Sequence, residues 1–276
     1  MRTPAPVTSR TFTYVLLTLL TLVLPARLWA GSAAPEDAIF EPEQITTFAK
    51  QVERFAASNG ARAFIIARQG RPEDELPEGI QFTHTAIAIY STITLENGKT
   101  AKGYAIHNLY QQADKVDRSE LVVDYPVDFF WSAKSLKAGV LIPTPALQQK
   151  LIALVMSDKD EQLHNPKYSA ISNPFNAVLQ NCTEYTLDIL NAAIYDTTDT
   201  QRLKANAKAH FTPTEVKENP MKIALGSVVK ADISIRDHTD TIATATFTSI
   251  AGYLNENALS TLAVTFEGAD NVTPLL

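Results

Sequence analysis

One cysteine, Cys182, in 276 residues leaves this chain no internal disulfide, so only its packed core can hold the fold together. Apolar residues make up 45% of the sequence and charged residues 20%, enough to build a sizeable core. The formal net charge is -6. No run of Lys and Arg appears, which argues against nucleic acid as a partner.

The first thirty residues read as a secretory signal. Arg2 and Arg10 form a basic start, Tyr14 to Leu24 is apolar apart from threonines, and a short polar stretch ends near Ala30. The apolar run is too short for a good membrane span. The expectation is a signal peptide over 1–30, then one domain over 31–276, periplasmic or secreted, with no stable span after cleavage. In an exported chain a lone cysteine is a reactive thiol, an intermolecular partner or a buried apolar filler.

Hydrophobic spacing predicts a packing helix over Glu41 to Ala57 and a buried strand over Ala61 to Ala67. Gln81 to Thr94 alternates, with Phe82, His84, Ala86, Ala88 and Tyr90 on one face and Thr85, Ile87 and Ile89 on the other. Asn97-Gly98 signals a hairpin, with a return strand over about Ala101 to Tyr110. Leu121 to Trp131 reads as a strand with a bend, Val140 to Ile142 as a short strand, and Ala146 to Met156 as a helix. His164 to Leu179 is a long irregular segment with three asparagines, and loops of that length are often functional. Helices follow from Cys182 to about Ala193 and over Thr200 to Ala209. Strands are expected over Ser227 to Ile235 and Thr241 to Phe247, then a helix over Ser249 to Leu254 and a strand over Leu259 to Phe266. The class is α+β, in one domain.

Asn181 is a good helix N-cap, with Glu184 three residues on. Cys182 then opens the helix. Unpaired N–H groups and the positive end of the helix dipole favour a thiolate there. The same groups could hold a developing oxyanion. A nucleophile needs a base, and His84 sits on a strand face whose other members, Ala86 and Ala88, are small. His107 on the return strand is a candidate to orient it. His164, His210 and His238 read as surface residues. No two histidines have zinc-ligand spacing and the cysteine has no partner, so neither metal nor cofactor is expected.

A two-residue Asn97-Gly98 turn would pair Ala88 with His107. His84 would then lie about 13 Å from His107 along the strands, at about 3.3 Å per residue, and opposite Gln111. Either a bulge shifts the register or Gln111 replaces His107 as the orienting group.

The segments His-Thr-Ala-Ile-Ala-Ile-Tyr (84–90), Gly-Tyr-Ala-Ile-His-Asn-Leu (103–109) and Asn-Cys-Thr-Glu-Tyr (181–185) together resemble the circularly permuted NlpC-type branch of the papain-like superfamily. The resemblance implies an antiparallel sheet packed on the helix that carries the nucleophile. It implies Cys182 as nucleophile, His84 as base and His107 as orienter. It further implies a thiol hydrolase or acyltransferase working through a Cys182 acyl-enzyme on an amide or ester, with a cell-envelope peptide or lipid as substrate. The mature chain also resembles a bacterial family of exported proteins of unknown function. The competing reading is a non-catalytic envelope binding protein that keeps the papain-like fold. A cysteine-linked dimer is a third.

Overall fold

The computed structural model describes residues 38–94, 97–217, 232–239 and 241–276. The signal-peptide expectation over 1–30 and most of the strand expected over Ser227 to Ile235 lie outside these residues. The centre is a seven-stranded sheet in the order β4-β3-β2-β1-β5-β8-β9, every described pairing antiparallel. Its strands are β1 (Ala63–Arg68), β2 (His84–Thr94), β3 (Thr100–Gln111), β4 (Ser119–Asp124), β5 (Ala138–Pro143), β8 (Ser260–Phe266) and β9 (Val272–Pro274). A separate two-stranded ribbon pairs β6 (Thr214–Glu215) with β7 (Ala243–Thr244).

Helices cover both faces of the sheet, which explains why all six residues of central β1 are buried. On one face lie α1 (Pro42–Ser58) and α2 (Pro126–Trp131). Helix α1 begins with a Glu41–Gln44 capping box and Pro42, and buries Ile45, Phe48, Ala49, Val52 and Ala56, the spacing of one helical stripe. Phe48 meets Phe130 of α2 edge to face, with ring centroids 5.0 Å apart. On the other face lie α3 (Pro145–Val155), α4 (Cys182–Tyr195) and α6 (Phe247–Glu256), with α5 (Thr200–His210) packed outside α4. The sheet therefore packs on the helix that starts at Cys182, and the chain is α+β.

Two segments differ from the sequence reading. Leu121 to Trp131 is not one bent strand, because Pro126 opens the short helix α2, the first-turn position that proline favours. Of the strand expected over Thr241 to Phe247 only Ala243–Thr244 pairs, because Thr246 caps α6 through a box with Ser249 and Phe247 is already helical. The long segment before Cys182 is stitched by its asparagines. The Asn165, Asn173 and Asn176 side-chain oxygens accept from the backbone N–H two residues on, the Asx-turn geometry.

The β2–β3 hairpin carries the decisive difference. Thr94 pairs with Thr100, and Ile87 with His107. The connection is five residues long, with Gly98 at φ 75° and Asn97 Oδ1 accepting from Lys99 N–H at 3.0 Å. Relative to a two-residue turn this slides the pairing by one residue, and a one-residue slip exchanges the two faces of a strand.

Gly139 of β5 sits beneath α6. A Cβ there would lie 2.5 Å from the Phe247 ring. Gly139→Ala should therefore destabilise the protein by about 1–3 kcal/mol through overpacking, seen as a lower urea midpoint with an unchanged slope.

Candidate active site

Helix α4 starts as its sequence dictates. Asn181 is extended and its Oδ1 accepts from Glu184 N–H at 2.9 Å. The Asn181 amide also donates to Ala170 O at 3.0 Å and Thr244 Oγ1 at 3.1 Å, so the cap is fixed from two other segments. The Tyr185 N–H bonds back to Asn181 O. Among the described residues no hydrogen bond is made by the backbone N–H of Cys182 or Thr183.

Cys182 is 3% exposed and borders a cavity of about 50 Å³. That is about a third of the roughly 150 Å³ that accommodates benzene, so only a small group fits beside the sulfur. Ile80, Phe82, Tyr168 and Thr244 help to line the cavity. Ile80 and Phe82 belong to the loop between β1 and β2. Its tip is tied to the chain after β6 by Lys217 and Glu78, 3.1 Å apart. Because both side chains are exposed, that tie is weak and salt-sensitive.

The helix is anchored from below by a buried ion cluster. Lys204 of α5 donates to Glu184 Oε1 at 2.6 Å and to both Asp188 oxygens at 2.8 Å. Gln180 donates to Asp188 Oδ2 at 2.9 Å. Burial pushes the Glu184 carboxyl up, against the pull of Lys204.

His84 is the first residue of β2 and is 1% exposed. The Cys182 sulfur lies 3.9 Å from the Thr83 carbonyl oxygen, against the peptide that leads into His84. Thiol and imidazole are not hydrogen bonded: His84 Nδ1 is buried without a partner. The alternation of β2 sends the ring to the α1–α2 face. There it stacks on Tyr110 with centroids 4.8 Å apart and lies 5.4 Å from Phe129. Helix α4 packs on the opposite face, where Thr183 Oγ1 meets Thr85 Oγ1 at 3.2 Å.

The partner of His84 is neither of the residues expected from sequence. Its Nε2 and Asn108 Oδ1 are 2.9 Å apart. His107 faces the α4 side, with Nδ1 3.8 Å from Asp160 Oδ2. Gln111 donates to Val116 O at 2.7 Å. The register explains the exchange, because the one-residue slide turns His107 away and brings Asn108 and Tyr110 onto the His84 face.

Asn108 is itself held. Its amide donates to Asp124 Oδ1 at 2.7 Å and to Ile106 O at 3.0 Å. Tyr110 donates to Asp124 Oδ2 at 2.8 Å. With the amide nitrogen committed to two acceptors, Oδ1 must face His84 and Nε2 must carry the ring proton. Nδ1 is then the bare, basic nitrogen. Burial holds the His84 pKa well below the ordinary histidine value. The nearby Arg68 guanidinium lowers it further, and the Asn108 bond opposes both. The ring is thus neutral at physiological pH.

Among the described residues, no group of three or more His, Cys, Asp or Glu side chains could hold a metal ion. Nor is any described helix long and apolar enough to cross a membrane.

Fold and site together define an α+β protein with a cysteine at a capped helix start, beside a strand that carries an asparagine-held histidine. Residues 55–254 match the model of the family described as "Uncharacterized protein conserved in bacteria (DUF2145)", and the chain belongs to that family. No curated protein and no solved structure matches it.

Proposed function

We propose that this protein is an exported thiol hydrolase or acyltransferase of the permuted NlpC-type, papain-like kind, with Cys182 as nucleophile and His84 as base. Asn108 takes the orienting role. The substrate is an amide or ester of a cell-envelope peptide or lipid, with water or a second nucleophile as acceptor. One observation carries the reading: a buried histidine, fixed at Nε2 by an asparagine and bare at Nδ1, begins at the peptide that the cysteine sulfur touches.

In this reading the Cys182 thiol gives its proton to His84 Nδ1 as sulfur attacks the acyl carbon. The oxyanion takes the Cys182 and Thr183 N–H groups. The bond to the leaving nitrogen or oxygen breaks as that atom takes the proton from His84, leaving a thioester on Cys182. An acceptor then attacks the thioester, its proton passes to His84 and on to the sulfur, and the acyl group departs. The reading requires the His84 side chain, the first of β2, to turn from its place against Tyr110 and Phe129 toward the sulfur when substrate occupies the cavity, a change of rotamer rather than the tightening of an existing contact.

The alternative, a binding protein that keeps the fold, is favoured by the placement of ring and sulfur toward opposite faces of β2. Alkylation separates the two. Cys182 is the only cysteine, so intact-mass labelling by iodoacetamide reports it alone, with Cys182→Ala as the blank. A base-assisted nucleophile labels readily near neutral pH, and His84→Gln slows it on the order of 100-fold, the lower end of a general-base contribution. Equal rates in wild type and a folded His84→Gln variant would leave the binding protein as the reading.

A further inference from the structure

We propose that Asp124 is a positioning residue that sets the tautomer of His84 through Asn108, and so decides whether the bare ring nitrogen is Nδ1 or Nε2. The inference deepens the catalytic reading above, and rests on it for its consequence in the reaction. The tautomer itself can be observed whether or not Cys182 reacts.

The argument is one of donors and acceptors. An ionised carboxylate can only accept. Asp124 Oδ1 therefore requires the Asn108 amide nitrogen, which lies 2.7 Å away. A planar amide with its nitrogen turned to Asp124 must turn its oxygen to His84, 2.9 Å from Nε2. An oxygen there demands a proton on Nε2 and leaves Nδ1 bare. The Ile106 carbonyl supports the same orientation from a second direction, at 3.0 Å. It is a neutral acceptor, and bonds to an ionised group are roughly twice as strong. Protonated Asp124 can itself donate, which permits the amide to turn over. The amide nitrogen would then face His84, the ring would carry its proton on Nδ1, and the base would be lost.

The groups around Asp124 are few. Tyr110 and Asn108 reach it from β3, the Arg68 guanidinium acts from β1, and Asp128 acts from α2. Burial raises the Asp124 carboxyl to about 6; the Tyr110 and Asn108 bonds and Arg68 pull it down, and Asp128 adds to the rise. Burial holds His84 well below the ordinary value, and protonation of its ring would put a proton on both nitrogens, a pattern distinct from either neutral tautomer. An exchange of one neutral tautomer for the other thus reports the carboxyl rather than protonation of the ring.

The experiment is nitrogen NMR of the full chain labelled with ¹⁵N-histidine, with His84 assigned by His84→Gln. Nε2–H and Nδ1–H tautomers have distinct nitrogen shifts. Wild type should show Nε2–H at pH 7.5 and lose its dominance as the pH falls through about 6. Asp124→Asn should show at least a tenfold larger share of Nδ1–H at pH 7.5. Tyr110→Phe, which leaves the Asp124–Asn108 bond intact, should keep Nε2–H. If Asp124→Asn does not fold, the wild-type titration and Tyr110→Phe decide alone. An Nε2–H tautomer that persists in Asp124→Asn, or in wild type down to pH 5, overturns the inference. Where the tautomer responds to Asp124 while Cys182 labels at the same rate with and without His84, the positioning role stands and the catalytic reading falls.

Discussion

Lys204→Met should destabilise the fold by about 3–5 kcal/mol, the usual consequence of removing one member of a buried ion cluster. Methionine keeps the length and apolar stem of the lysine, so the loss is electrostatic. Glu184 is 0% and Asp188 3% exposed, and both lose their cation. Two carboxylates would then share the interior one turn apart on α4, and one must take up a proton. Urea unfolding of Lys204→Met beside a Lys204→Met/Glu184→Gln/Asp188→Asn variant checks this. The triple variant carries no unpaired charge and should recover part of the loss. Equal stability of Lys204→Met and wild type would show that the cluster contributes nothing. The cluster also sets an alkaline limit. Burial opposes the charge on Lys204, yet Asp188 and Glu184 together raise its pKa above the ordinary 10.5. Its folded value exceeds its unfolded one, so its stabilisation is whole below 10.5 and is lost as pH climbs beyond. Because the cluster grips the first two turns of α4, weakening it should also loosen the Asn181 cap and the cysteine.

Asn108→Ala should slow alkylation of Cys182 near neutral pH on the order of 10–100-fold and cost about 1–3 kcal/mol of stability for the orphaned partners. The variant strips His84 of its acceptor at Nε2 and Asp124 of a donor, leaving the ring free to choose its tautomer. Iodoacetamide kinetics across pH 6 to 9 read the first effect and urea unfolding the second. A stability loss with an unchanged labelling rate would make Asn108 a core polar residue with no part in reactivity. His107→Ala serves as the control. The His107 ring faces Asp160 on the other side of the sheet, so the labelling rate should not move.

The helix at Cys182 was legible from the chain because its signals are local. A residue that caps and one that opens a turn are neighbours, and the structure keeps both; the acid three residues on does not close a capping box, because its side chain turns to Lys204 instead. The same holds for α1, whose cap, proline and apolar stripe sit in one continuous segment. The alternation of residues 84 to 90 also placed His84, Ala86 and Ala88 on one face. No local signal marks Asn108, although it stands beside His107 in the same strand. Its role depends on pairing parity across a hairpin, and a loop of five residues in place of two reverses that parity. Asp124 ends β4, just before α2, and nothing local links it to a histidine forty residues earlier. Lys204 stands in a largely polar segment, and only the packing of α5 on α4 brings it to Glu184 and Asp188.

The sequence by itself determined the elements whose causes are short in range: the capped helix that opens on Cys182, the strand that opens on His84, and a chain without a disulfide to brace it. The tertiary structure decided which side chains share a face. Register, crossing and burial depend on loop geometry and on partners far along the chain, and a shift of one residue was enough to exchange His107 for Asn108 beside the candidate base.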